Sequence, residues 1–208
     1  MSGAPATWMA ILGGLSLLPL VAVLLTSFVK LAVVLSIARS AFGAPQVPPN
    51  AVVTGLALVL SLVIMAPVAS ETATRIEETW PALEGGSIGT LVAAASDIGK
   101  PLMDFLIRNT REDHVRSFQH LLRAEDGAPG WAVLVPAYVV SQLQEAFRMG
   151  FVLFLPFLVL DLLVGSVLLS LGMHMLSPAA VALPFKLLLF VCADGWELLC
   201  SGLVGSYR

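Results

Sequence analysis

Asp161 and Lys186 are the residues of this chain whose chemistry conflicts most with their neighbours. Asp161 is the one ionised residue between Met149 and Leu171, and Lys186 stands in a second apolar run from residue 179 that also carries Asp194 and Glu197. A charge at the centre of a lipid-facing helix costs roughly 2.5–3.5 kcal/mol on insertion scales. Residues 179–199, read as one helix, therefore make a poor lipid-facing span. They make a good helix for burial against protein, with their charges paired or lining a polar path. Between the runs lies the break Gly172-Met173-His174-Met175-Leu176-Ser177-Pro178, so the stretch reads as a hairpin. With Met175 as its turn, Asp161 lies 14 residues before it and Lys186 lies 11 after. The mismatch of three residues is about 4.5 Å of helical rise. The two side chains are then level and can pair, within or between subunits. The alternative is two separate charges, each solvated in a channel or at a rim. An unpaired charge with neither partner nor water is too costly to keep.

Other chemistry is sparse. There is no P-loop, no G-x-G-x-x-G, no C-x-x-C and no H-E-x-x-H. His114 and His120 are six residues apart on an expected helix and face nearly opposite sides, and His174 is remote from both; a metal site among them is not expected, nor is any cofactor. Cys192 and Cys200 are eight apart on what reads as one helix, about 12 Å of rise, too far for a disulfide within it. They read as inert apolar thiols. Hydrolytic or transfer chemistry is not expected, and the chain does not read as an enzyme.

The elements that must position these residues are apolar helices. Of the 208 residues 58% are hydrophobic and 12% charged, with mean hydropathy +0.91, against about 25% charged in soluble domains. This is a membrane-class composition. The net charge of −3 and the lack of a basic cluster exclude nucleic acid as a partner. No Lys or Arg precedes Lys30. A secretory signal would have a positive n-region, so the first apolar segment reads as retained. Residues 8–29 are uncharged and long enough to cross a bilayer. Pro45, Pro48 and Pro49 stop the chain around residues 43–50, and Asn50 reads as the N-cap of the next helix. Residues 51–69 are again uncharged.

Residues 71–126 hold 16 of the 25 charged residues. They begin as a Gly-rich loop through Glu84, Gly85, Gly86 and Gly89, then turn helical. Thr110 and Asp113 have capping-box spacing, and Val115, Phe118 and Leu122 share a helical face. Asp126-Gly127-Ala128-Pro129-Gly130 is a turn, and residues 131–148 form a helix leading into the hairpin. The expected architecture is all-α: an N-terminal hydrophobic helical hairpin over 1–70, a small charged, partly helical insertion over 71–130, and a C-terminal helical hairpin over 131–208 with its loop at 172–178. Hydropathy gives four apolar segments. The positive-inside rule places a Lys30–Arg39 loop in the cytoplasm, with the N-terminus and the insertion outside.

Two blocks carry a resemblance. The first comprises Thr26-Ser27-Phe28-Val29-Lys30, Val33-Val34-Leu35-Ser36, Arg39, Gly43, Gln46-Val47-Pro48-Pro49-Asn50, Gly55-Leu56-Ala57-Leu58 and Met65-Ala66-Pro67-Val68. The second comprises Ala146-Phe147, Gly150-Phe151, Phe154-Leu155-Pro156-Phe157-Leu158, Asp161-Leu162, Ser166, Gly172-Met173, the run from Leu183-Pro184-Phe185-Lys186 through Val191, and Asp194-Gly195-Trp196. Together they resemble the SctR/FliP family, the R (or P) subunit of the bacterial type III secretion export gate. Even Asn109-Thr110-Arg111-Glu112 in the insertion is similar to the family. Lys30, the Val47-Pro48-Pro49-Asn50 run and the missing signal peptide look more like the injectisome branch, the one tied to virulence, than the flagellar one.

The resemblance implies a helical ring of about five copies with the S (FliQ-like) and T (FliR-like) subunits. The U (FlhB-like) switch protein and the V (FlhA-like) export gate would sit nearby. The ring would admit unfolded secreted proteins at the bacterial inner membrane, its hairpins largely raised above the bilayer plane. It also implies a role for Met173, His174 and Met175, since the family's matching loop is methionine-rich and closes the channel. Methionine is unbranched and polarisable, so a ring of such side chains can seal and then deform around a passing chain. Here the middle position is His174 rather than Met, a departure from the family; the other reading of the methionines is core filler. Pro48, Pro49 and Asn50 read as a helix break and cap. The competing class is a solute transporter or ion channel, which also uses broken helices with buried charges but usually shows repeats and more spans.

Overall fold

Alternating blocks of apolar sequence and Pro/Gly breaks produce a helical chain. The computed structural model describes residues 16, 21, 23–43, 47–83, 88–123, 127 and 129–207. Most of the first apolar segment, Pro45 and Gln46, Glu84 to Gly86, and Asp126 and Ala128 of the expected turn lie outside the described residues. Among the described residues there is no strand, and from Phe28 onward the helices are α1 (Phe28–Ala41), α2 (Asn50–Leu83), α3 (Ile88–Ile98), α4 (Lys100–Arg108), α5 (Glu112–Leu122), α6 (Trp131–Ser170), α7 (Pro178–Cys192) and α8 (Gly195–Gly205).

α1 is the centre of the fold. It packs on α6 and α2. Leu31, Val34, Leu35 and Ala38 meet Val53 and Ala57 of α2, Ala146 of α6, and Leu199 and Leu203 of α8 in one buried cluster. Gly150 permits the close crossing of α1 and α6, because a Cβ there would meet Ile37 Cδ1 at 2.4 Å. A second cluster joins Val68 of α2, Phe105 and Leu106 of α4, and Leu134 and Tyr138 of α6. A third is aromatic: Phe42 lies edge-on to Phe157 and Phe190, with ring centroids at 5.3 and 4.8 Å. Edge-on rings gain about 0.5–1.5 kcal/mol beyond their burial.

Several expectations are corrected. The change from apolar to charged sequence at residue 71 does not end a helix, since α2 runs on to Leu83. Ser70, Thr72 and Thr74 return their hydroxyls to carbonyls three or four residues back, which satisfies them without breaking the helix. Gly89 lies within α3 rather than in a loop. No capping box forms at Thr110: its hydroxyl donates to the Leu106 carbonyl at 2.6 Å, and α5 begins after Arg111 with no side-chain cap. Arg111 instead grips Asp113, and that hydrogen-bonded contact holds the carboxyl down at about 2. The segment between Lys30 and Arg39 is a helix, not a loop; Lys30 is buried against Glu145, and Arg39 is held at the surface by Asn50. The basis for a positive-inside orientation is thereby lost.

Residues 179–199 are not one helix either. α7 ends at Cys192, Asp194 adopts φ +48, and α8 departs at 61°. Cys192 and Cys200 therefore sit on different helices. The break removes two charges from mid-helix: Asp194 and Glu197 fall at the N-terminus of α8, where the helix dipole favours carboxylates by about 0.3–1 kcal/mol. Among the described residues two helices, α2 and α6, are long and apolar enough to cross a membrane, or three if the bent α7–α8 pair is one span.

Candidate functional site: the hairpin loop and its polar clamp

The tip of the hairpin is set by local sequence. α6 is capped at Leu171, and Gly172 takes φ +73, a left-handed conformation that suits glycine. The Met173 amide donates to the Leu168 carbonyl at 2.9 Å, the long bond of a Schellman C-cap. Pro178 opens α7, where its missing N–H costs nothing. The loop between projects outward. Met175 is 99% exposed, Met173 47%, and His174 is exposed as well. None of the three is core filler within the chain.

Below the tip, the structure brings Asp161 and Lys186 together. Lys186 Nζ lies 2.7 Å from Asp161 Oδ2 and donates to the Ala41 carbonyl at 3.1 Å. That carbonyl belongs to the last turn of α1, where backbone acceptors have no helical partner and the dipole is negative. Lys186 thus ties α6, α7 and the end of α1. Lys186 is 2% exposed, whereas the Asp161 side chain is 31% exposed. Asp161 Oδ1 is buried without a hydrogen-bond partner among the described residues. Gly43, at φ +80, leaves the chain next to Lys186 Nζ.

The proline break is placed differently from its expected roles. Pro48 and Pro49 precede α2, and the Pro49 carbonyl accepts from the amides of Val52 and Val53. Asn50 is therefore the first helical residue rather than the cap. Its Oδ1 accepts from the Arg39 guanidinium and so joins the end of α1 to the start of α2.

One polar cluster was not singled out from sequence. Lys30 is 1% exposed, with Nζ 3.4 Å from Glu145 Oε2, 3.5 Å from the Ser206 carbonyl and 3.7 Å from the centre of the Tyr207 ring. Tyr207 Oη reaches Gln142 Oε1 at 2.9 Å, Gln142 Nε2 donates to the Asn109 carbonyl at 2.7 Å, and Tyr138 Oη donates to the Thr26 carbonyl at 3.0 Å. The cluster locks the C-terminus onto α1, α6 and the turn after α4. A signal existed: Lys30 shares its helical face with Val34, Ala38 and Ala41, all buried. Among the described residues no group of His, Cys, Asp and Glu could hold a metal ion; His114 Nδ1 lies 2.7 Å from Ser141 Oγ.

Taken together, the helices and the clamp describe an all-α, membrane-class chain that exposes long apolar helix faces and buries two lysines, Lys30 and Lys186, among polar partners. Comparison with known proteins gives this class a family. Residues 11–203 match the FliP family. The chain is 43% identical to the virulence protein YscR of Salmonella typhimurium over 98% of its own length and 97% of that protein's. It is 40% identical to the Yop proteins translocation protein R of Yersinia pestis, covering 95% and 94% of the two chains. It is 39% identical to the flagellar biosynthetic protein FliP of Pectobacterium carotovorum, covering 96% of this chain and 77% of that one. The chain belongs to the FliP family. That makes it a component of the type III secretion export apparatus and sets aside the solute-transporter reading.

Proposed function

We propose that this chain is the gating subunit of a type III export gate of the injectisome branch. About five copies form a helical ring with S-, T- and U-type subunits in the bacterial inner membrane, and unfolded secreted proteins pass through it. The role is structural, with no covalent chemistry, cofactor or metal. Met173, His174 and Met175 of each copy converge as the seal. The observation that carries this reading is the exposed methionine loop at the tip of a hairpin whose arms are clamped to each other and to α1 by Lys186. A chain that needed these methionines for its own core would not leave Met175 wholly exposed.

α6 supports the hairpin being raised above the bilayer. Its 40 residues rise about 60 Å, twice the roughly 30 Å of a hydrocarbon core. Similarity to the virulence protein YscR and the Yop proteins translocation protein R, at 43% and 40% identity, supports the injectisome branch. The mass of the detergent-purified particle tests the assembly: a ring of about five copies with further subunits is expected, and a monomer or dimer overturns it. Ion leak tests the seal. Removal of residues 173–175 should raise leak at every pH, and an unchanged leak rules out the seal.

A further inference from the structure

An apolar cavity of about 580 Å³ opens between α6, α7 and α8 beside the bend at Asp194. Its volume is that of a small-molecule site. The shaft runs along α6 from Glu145 to Phe157, about 18 Å of axial rise, walled by Val152, Leu153, Leu189 and Leu198. Only one end is polar, and that end carries Glu145 and Arg148. Glu145 is engaged by Lys30, whereas Arg148 is exposed and has no ion pair among the described residues. The charge at the mouth left without a counter-ion is therefore positive.

We propose that this cavity binds an anionic phospholipid, one acyl chain along the α6–α8 shaft and its phosphate on the Arg148 guanidinium. A long apolar slot closed at one end by a single unmatched cation is complementary to an amphiphilic anion. Basic sites between membrane helices bind anionic headgroups for this reason, and a guanidinium matches a phosphate in a bidentate manner. The neighbouring Glu145 carboxylate is paired with Lys30 at 3.4 Å, which offsets its charge. The inference concerns the single chain and does not depend on the seal.

The test is native mass spectrometry of the full-length chain, purified singly in detergent, with phosphatidylglycerol or phosphatidylcholine of identical acyl chains. One phosphatidylglycerol should be retained in preference to phosphatidylcholine by about fivefold, the effect of one basic residue near an anionic surface. Arg148→Gln should erase the preference and Arg148→Lys should keep most of it. Gly202 lines the cavity, and a Cβ there meets nothing within 4 Å, so a Gly202→Leu side chain starts into open space, occupies the shaft and should reduce retention of both lipids. Val152→Trp, at a lining position 61% exposed, repeats that test should the first variant fold poorly. Equal retention of the two lipids, no retention at all, or a preference unchanged in Arg148→Gln overturns the proposal.

Discussion

Lys186 has given up its hydration for two partners, one carboxylate and one carbonyl, and it stands almost wholly buried. Asp161 is still a third exposed. The asymmetry sets the order of damage. Asp161→Ala leaves a buried ammonium with only the Ala41 carbonyl, and should cost about 3 kcal/mol, the low end for breaking a buried pair because water can reach the site. Lys186→Met leaves a carboxylate that can hydrate, and should cost less. The paired change Asp161→Leu with Lys186→Met should recover most of the loss in thermal unfolding of the detergent-solubilised chain. A Lys186→Met variant less stable than Asp161→Ala would refute this ordering.

Among the elements, the α1–α6 crossing and the α7–α8 elbow are where single atoms decide. Gly150→Ala forces a methyl into Ile37 and should cost about 1–3 kcal/mol by overpacking. Gly202→Ala, in open space, should be neutral or stabilising by up to about 1 kcal/mol through helix propensity. Thermal midpoints of the two variants should therefore move in opposite senses or differ clearly in size. At the elbow, Asp194 holds φ +48, a region open to Gly, Asn and Asp at little cost. Asp194→Gly should be tolerated, while Asp194→Val should lose about 1–2 kcal/mol. Equal stability of those two variants would show that the elbow does not depend on that conformation.

At the scale of the whole molecule, the chain is unfinished by itself. Phe151, Leu155, Leu162 and Val167 on α6 and Phe185 and Leu188 on α7 are all more than 40% exposed, a surface that needs lipid or protein. With Lys186 clamped inside and Asp194 and Glu197 at a helix end, α7 no longer carries the charge conflict that its sequence suggests. Its outer face is apolar enough for either environment. In the assembled complex the ring reading places that face against neighbouring subunits. Lipid-phase photolabelling of Phe185 and Leu188, which lie outside the proposed lipid shaft, should then be weak in the complex and strong in the isolated chain. Strong acyl-chain labelling of both residues in the complex would refute burial in the ring.

The order of amino acids was enough for the all-α class, the stop before α2, the hairpin turn at Gly172 and Pro178, and the family, because these rest on local chemistry: proline without a donor, glycine at positive φ, apolar runs longer than a soluble helix needs. It also put Asp161 and Lys186 at one level, since helical rise is fixed. Packing in three dimensions was needed to give Lys186 a carbonyl of α1 as its second partner, to bury Lys30 under Tyr207, and to turn Asn50 towards Arg39 instead of the cap of α2. Those pairings join residues 11 to 177 positions apart, and no periodicity within one helix can encode them. The break at Asp194 was missed for a related reason. Asp194-Gly195 is a short polar break, but the apolar residues on both sides read as one continuous run, and the turn is set by how α8 must fold back onto α1 to bury Leu199 and Leu203.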